Sequence, residues 1–238
     1  MSTQQRRQPT ENGPPGPIAC RSCDLNEVCR LCGLIALDGA RTRVSTGTLR
    51  TLEAGASLFR AGAPGTAIYA VRQGMLKSVR LTAEGEERVL GIHTPGDVLG
   101  LEAFGLRTYA YDVVALQPVV CCELRLTTLV EESTRVRELG AALVQLLSRA
   151  TEPRLNLAHG SVRQRVTAFL LELAQRLERR GLDCRRFTMG LSRQELADLL
   201  DTRIETVSRM MQRLNREGAI KVAGNSVKLL TLAPESGG

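Results

Sequence analysis

The chain has 238 residues, 43% hydrophobic and 24% charged, which is enough apolar material for one or two buried cores and too much for a disordered polymer. No run of about 18 apolar residues occurs and no apolar leader follows Met1, so we expect no membrane association and a cytoplasmic, reducing home; an odd total of seven cysteines also argues against a disulfide framework. The formal charge of +7 is unevenly placed: residues 161–238 hold 14 Lys/Arg against 9 Asp/Glu, and residues 1–160 hold 18 against 16, so the surplus that would meet a polyanion lies at the carboxyl end.

Residues 1–17 are polar and rich in Pro and Gly, which predicts a tail without a packed element. The segment 18–40 follows with Cys20, Cys23, Cys29 and Cys32. Closely spaced thiolates are ligands for zinc or iron–sulfur centres, and CxxC, five residues, CxxC could by itself supply a tetrahedral zinc set. From about 44 to 127 short runs such as SLFRAG, AIYAVRQG, LKSVRLT, RVLGIHT and YDVVALQPVVCCELRL alternate with glycine turns, which predicts an antiparallel barrel or roll. Two more thiols, Cys121 and Cys122, lie in the last run, and because successive strand residues face opposite sides only one of them can point at a given centre.

From about 128 to 158, Val136, Leu139, Leu143, Leu146, Leu147 and Ala150 recur at three- and four-residue spacing, the mark of an amphipathic helix with one apolar stripe. The stripe can pack on its own barrel or meet the same helix of a second subunit; we expect the dimer, because a short DNA-reading helix usually needs two half-sites. Pro153 should kink or break this helix. Residues 161–180 form another amphipathic helix, stopped by Gly181.

Ser192 with Glu195 has capping-box spacing, and Thr202 with Glu205 repeats it, predicting two helices around a tight turn at Leu200 and Asp201. On the second helix Ile204, Val207, Met211 and Leu214 share an apolar face, leaving Arg203, Glu205, Thr206, Ser208, Arg209 and Arg213 on the others. Arg pairs bidentately with guanine, Glu accepts from the cytosine amino group, and Ser bonds base edges or phosphate, so Glu205, Ser208 and Arg209 are chemically sensible readers of double-stranded DNA. After Gly218, AIKVAGNSVKLLTL reads as a hairpin wing turning at Gly224-Asn225.

The chain from about 18 to 232 resembles the CRP/FNR superfamily of bacterial regulators, and within it the oxygen-sensing FNR type. The E-x-x-S-R signature of FNR-type recognition helices stands as Glu205, Ser208 and Arg209, which the resemblance implies read TTGAT-type half-sites. It also implies a [4Fe–4S] cluster held by the C-x2-C-x5-C triplet Cys20, Cys23 and Cys29 with Cys122 of VVCCEL as the fourth ligand, leaving Cys32 and Cys121 as spare thiols and Cys184 as packing or surface. The expected α+β architecture is a tail (1–17), a cysteine-rich segment (18–40), a sensory β-roll of the cyclic-nucleotide-binding jelly-roll type (41–130), a dimerisation helix (131–160) and a winged helix-turn-helix (161–238). A homodimer contacting RNA polymerase is expected.

Superfamily members that bind cyclic nucleotides need a glutamate for the ribose and an arginine for the phosphate. Aligned through GDVLGLEAFG and CCEL, this chain offers Leu101 and Asp112, with Glu102 and Arg107 nearby; an aspartate facing a phosphate is repulsive, so no cyclic nucleotide is expected. With His93 and His159 as the only histidines and no GxGxxG after a strand, an enzyme is not expected. The alternatives are a regulator of this superfamily with structural zinc or another effector and, more remotely, an iron–sulfur redox protein.

Overall fold

A computed structural model of the chain describes residues 18–31, 48–83, 85–127, 140–145 and 160–231. The short runs between glycine turns become antiparallel strands: β1 (Thr48–Leu52), β2 (Ser57–Phe59), β3 (Ala67–Gln73), β4 (Leu76–Leu81), β5 (Glu87–His93), β6 (Val98–Leu99), β7 (Asp112–Ala115) and β8 (Val119–Arg125). They form two four-stranded sheets, ordered β1-β8-β3-β6 and β2-β7-β4-β5, that enclose a core in which Phe59 stacks on Tyr109 at 3.9 Å between ring centroids. The run YDVVALQPVVCCELRL is two strands, since Pro118 has no N–H for a ladder and the chain changes sheet around it.

Both sheets are also covered from outside. Strand β3 is buried at Ala67, Ile68, Tyr69, Ala70 and Val71 in succession, which a strand shows only when neither face meets water. Its inner residues Tyr69 and Val71 join the roll core, and its outer residues Ile68 and Ala70 pack with Leu124 against Val28 of the amino-terminal helix α1 (Asn26–Leu31) and Leu25 just before it. The described helical residues 140–145, α3, add Ala142 to this cluster; α2 is the turn Ala103–Leu106.

The predicted apolar stripe at Val136, Leu139, Leu146, Leu147 and Ala150, with Pro153, lies outside the described residues. Its described member, Leu143, is half-buried against the cluster around Leu25 and Ile68.

The carboxyl-terminal part comprises α4 (Val162–Arg179), β9 (Arg186–Thr188), α5 (Arg193–Leu199), α6 (Ile204–Arg216) and the hairpin β10 (Ile220–Ala223) and β11 (Ser226–Leu229), with β9 pairing on β11. Ser161 and Gln164 form a capping box at the start of α4, and Ser192 and Glu195 form the expected one at α5. The second predicted box is corrected: α6 starts one residue later than Thr202 implies, Arg203 is its N-cap, and no side chain caps it. The cause is local, because Asp201 takes a left-handed φ of 49° and the turn closes through Thr202 N donating to Ala197 O at 2.9 Å. Among the described residues no helix is long and apolar enough to cross a membrane.

The core of this winged unit runs on into the roll, because Met75, Val79, Val89 and Ile92 from the β4–β5 side pack with Phe169, Leu173 and Leu196 as one continuous cluster.

Candidate cysteine centre and DNA-reading helices

The cysteine segment reaches the roll through its backbone. Ile18 N donates to Arg72 O at 2.8 Å and Arg72 Nη2 donates to Ile18 O at 2.7 Å, which starts the segment beside β3. Cys20 to Ser22 make a 3-10 turn, Cys23 N donates to Cys20 O at 3.1 Å, and Asn26 Nδ2 donates to the same carbonyl at 3.0 Å. Arg72 Nη1 stands 4.0 Å from Cys20 Sγ. Leu25, just before α1, and Val28, three residues on within it, are both 1% exposed and plant the helix on the sheet, while Cys23 and Cys29 lie half-buried at the edge of the same cluster.

Strand β8 separates its two thiols by alternation. Cys121 pairs in register with Val71 and Arg50, is 0% exposed inside the roll, and burial pushes its thiol up to about 12. Cys122 pairs with Ala70 and Leu49 and joins the outer cluster that Cys23 and Cys29 also touch. Burial pushes the Cys23 thiol up to about 12 as well, with Asp24 and Cys122 adding to the effect and the Leu25 amide and the Arg180 guanidinium opposing it. Among the described residues no three His, Cys, Asp or Glu side chains stand at metal-binding spacing. Cys20, Cys23, Cys29 and Cys122 nonetheless match in kind what an iron–sulfur centre takes, since all four donors are sulfur and three border one apolar cluster. Cys32, which a zinc set would need, lies outside the described residues, and Cys184 packs at the edge of the winged core.

In the helix pair, α5 and α6 flank the turn at Leu200 and Asp201, whose carbonyls accept from Arg165 Nη1 at 2.6 and 3.2 Å. Val207, Met211 and Leu214 are buried beneath α6 as expected, but Ile204 is 37% exposed, so the stripe is covered only from Val207 onward. Arg203, Glu205, Arg209 and Arg213 are exposed, with Thr206 and Ser208 partly so. Glu205, Ser208 and Arg209 are presented outward within little more than one turn, at the helix end whose dipole favours a phosphate. Arg213 Nε pairs with Glu217 Oε1 at 2.7 Å, and Arg163 and Arg213 together hold the Glu217 carboxyl below its ordinary value.

Leu101 is buried in the outer cluster beside Leu25, and Asp112 Oδ1 accepts from Ala61 N at 2.6 Å. Glu102 Oε2 accepts from the Tyr111 hydroxyl at 3.3 Å, and Arg107 takes a left-handed φ of 60°.

Several polar anchors carry no sequence signal of their own. Lys77 on β4 is ion-paired with Glu195 on α5, Arg88 with Asp201 at 3.4 Å, Arg176 with Asp97, and Arg180 with Asp24 at 2.7 Å. Each joins the winged unit to the roll or to the cysteine segment. Burial opposes the charge on Glu195, but Lys77 and Ser192 outweigh it and hold that carboxyl below its ordinary value.

Two family descriptions divide the chain between them: the cyclic nucleotide-binding domain matches residues 49–132 and the Crp-like helix-turn-helix domain residues 164–233. The transcriptional activator protein anr of Pseudomonas aeruginosa is 32% identical over 217 residues, 89% of this chain and 88% of that protein. The transcriptional regulatory protein btr of Bordetella pertussis is 33% identical over 232 residues, 96% and 95% of the two chains, and the fumarate and nitrate reduction regulatory protein of Escherichia coli is 26% identical over 216 residues, 89% and 86%. Among solved structures, FixK2 from Bradyrhizobium japonicum superposes with a TM-score of 0.64 at 24% identity, covering 77% of this chain and 92% of that one. A CRP/FNR-family transcriptional regulator from Thermus thermophilus gives 0.57 at 25% identity, covering 78% and 94%. These relatives are regulators of transcription and not enzymes. Similarity that runs through the roll and the winged unit together, and not through either alone, makes this chain a member of the CRP/FNR family of transcription regulators.

Proposed function

We propose that the protein is an oxygen-responsive, FNR-type transcription activator that acts as a homodimer on palindromic TTGAT-type sites and holds a [4Fe–4S] cluster through Cys20, Cys23, Cys29 and Cys122. The observation that carries this reading is the placement of Cys122 on the outer face of β8, at the cluster bordered by Cys23 and Cys29, while its neighbour Cys121 is sealed inside the roll. The names of relatives, transcriptional activators and a fumarate and nitrate reduction regulator, support it.

When bound, such a cluster supplies an oxygen-labile link among four thiolates. The chain's own residues give that link its effect. Three of the cysteines belong to a segment held by Leu25, Val28 and a few hydrogen bonds, and the fourth to a strand paired on both sides. Ligation of all four fixes the segment against the roll, next to α3, and favours the helix arrangement that dimerises through the stripe at 136–150. Dimerisation joins two half-sites into one linked binding event, with Glu205, Ser208 and Arg209 reading bases, Arg203, Thr206 and Arg213 at their flanks, and RNA polymerase as the partner beyond DNA. The division of the chain at residues 17, 40, 130 and 160 belongs to the same proposal. So does the exclusion of a cyclic nucleotide, supported by Leu101 and Asp112 at the positions that would have to bind it.

The test is the visible spectrum of anaerobically prepared protein as air is admitted, for wild type, Cys122→Ala and Cys121→Ala, with affinity for a palindromic site measured before and after. A brown chromophore that bleaches in air, is missing only from Cys122→Ala, and is accompanied by loss of DNA affinity is the expected result. A colourless protein containing zinc, or unchanged affinity after bleaching, overturns the oxygen-sensor reading and leaves the DNA-binding regulator.

A further inference from the structure

We propose that Arg180, at the carboxyl end of α4 in the winged unit, is a positioning residue for the loop that carries Cys20 and Cys23, and so couples the cysteine centre to the DNA-binding unit within a single subunit. The proposal rests on the reading of those cysteines as ligands. It adds a route that does not pass through the dimer helix.

Arg180 is the C-cap of α4, and its guanidinium is divided between two groups of the cysteine segment. Nη1 donates to Ser22 O at 2.7 Å and Nη2 to Asp24 Oδ2 at 2.7 Å, so the two bonds bracket Cys23. Both partners of the ion pair are largely shielded, with side chains 20% and 24% exposed. Charge-assisted bonds of this kind are stronger than neutral ones, and here they act on a loop that Leu25 and Val28 anchor to the outer cluster.

The site is built around a glycine. Gly96 has φ +99°, and a Cβ there would lie 2.3 Å from Arg180 Nε and 2.5 Å from Cζ, so the guanidinium occupies the space a side chain at this position would fill. The carbonyl of Gly96 accepts from Asp24 N at 3.2 Å, which ties the same turn to the cysteine loop. The next residue, Asp97, takes Arg176, one turn earlier on α4, and Arg176 Nη2 also donates to Ile92 O at 3.0 Å. Two arginines on one face of α4 therefore grip a single turn of the roll, and the second reaches past it to the cysteines. A cleft of about 240 Å³ lies between Cys23, Asp24 and Arg180 on one side and Ala142 and Gln145 of α3 on the other, so the cysteine loop, α3 and α4 meet at one place.

The consequence is reciprocal. Whatever fixes the loop between Cys20 and Cys23 favours α4 docked on the roll, and whatever draws α4 away frees the loop. The pairs Lys77–Glu195 and Arg88–Asp201 dock the same unit without touching the cysteine segment, which makes them internal controls.

Hydrogen exchange on the full-length chain tests this. In metal-free protein Arg180→Gln should speed exchange across residues 20–31 by about tenfold while the amides of β3 stay slow, and Asp24→Asn should do the same. The double substitution should add little to either single one. Arg88→Gln should leave residues 20–31 unchanged. After anaerobic cluster loading, exchange in the 94–97 turn and the last turn of α4 should slow in wild type and not in Arg180→Gln. Equal exchange over 20–31 in wild type and Arg180→Gln, or equal slowing on loading in both, overturns the proposal. Failure of wild type to take up a cluster would count against the oxygen-sensor reading alone, because the metal-free comparison decides the role of Arg180 without it.

Discussion

On one side the roll offers Ile68, Ala70, Leu101 and Leu124 to Val28 of a six-residue helix and to Leu25 in the turn before it; on the other it offers Met75, Val79, Val89 and Ile92 to a unit with a hydrophobic core of its own. The roll surfaces are comparable, and the partners differ. A helix well under about 12 residues is marginal in isolation, so α1 owes its form to the surface beneath it, whereas α4, α5 and α6 support one another. The cysteine segment is thereby the low-stability end of the molecule, a property suited to an element whose release would be a signal. The winged unit, with a core of its own, is the element such a signal would have to reach under the proposed function.

The contrast can be tested by removing one leucine from each side. Leu170, 0% exposed in the winged core, should cost about 2–5 kcal/mol of global stability when replaced by alanine, read from urea unfolding. Leu25→Ala, although Leu25 is 1% exposed, should leave the global midpoint nearly unchanged and instead make residues 18–31 open to protease. Equal global losses would show that the segment and the roll unfold as one, and the contrast would be gone.

A smaller effect separates the real helix cap from the apparent one. Ser192→Ala removes the hydroxyl that accepts from Glu195 N at 3.1 Å and should cost about 1 kcal/mol, while Thr202→Ala should stay within about 0.5 kcal/mol. Thermal midpoints of both variants read this directly. The smallest effect concerns the seam between roll and winged unit. Because Glu195 titrates below its ordinary 4.5 in the folded protein, its pairing with Lys77 contributes stability that is present above that value and is lost as pH falls through the lowered one. Glu195→Gln keeps an acceptor for the cap but not the carboxylate, so it should lower stability slightly at pH 7, where the pairing is fully present, and flatten the acid limb of the profile below about pH 4.5.

What could be read from the sequence followed from local rules. The Ser192–Glu195 box, the hairpin at Gly224-Asn225 and the opposite facing of Cys121 and Cys122 each depend on residues a few positions apart. Thr202–Glu205 misled for the same reason, since its spacing is right but the left-handed Asp201 sends the backbone elsewhere. Strand β1, TLRTL, has no alternation to mark it and is mostly exposed, and β6 is two residues long. The ion pairs at the seam join residues 118 and 156 positions apart, Lys77 with Glu195 and Asp24 with Arg180, and nothing in the composition around either partner foretells the other. The candidate cysteines were therefore visible at once, and what holds them in place was not.

The uninterrupted burial of β3 also sets a practical limit on shortening this protein. A chain trimmed to begin at Thr48 would keep every described strand of the roll, yet it would strip the cover that Leu25 and Val28 give to Ile68, Ala70, Leu101 and Leu124 and open a contiguous sticky patch. Such a fragment would self-associate during purification, and its poor solubility would reflect a missing cover and not a misfolded roll.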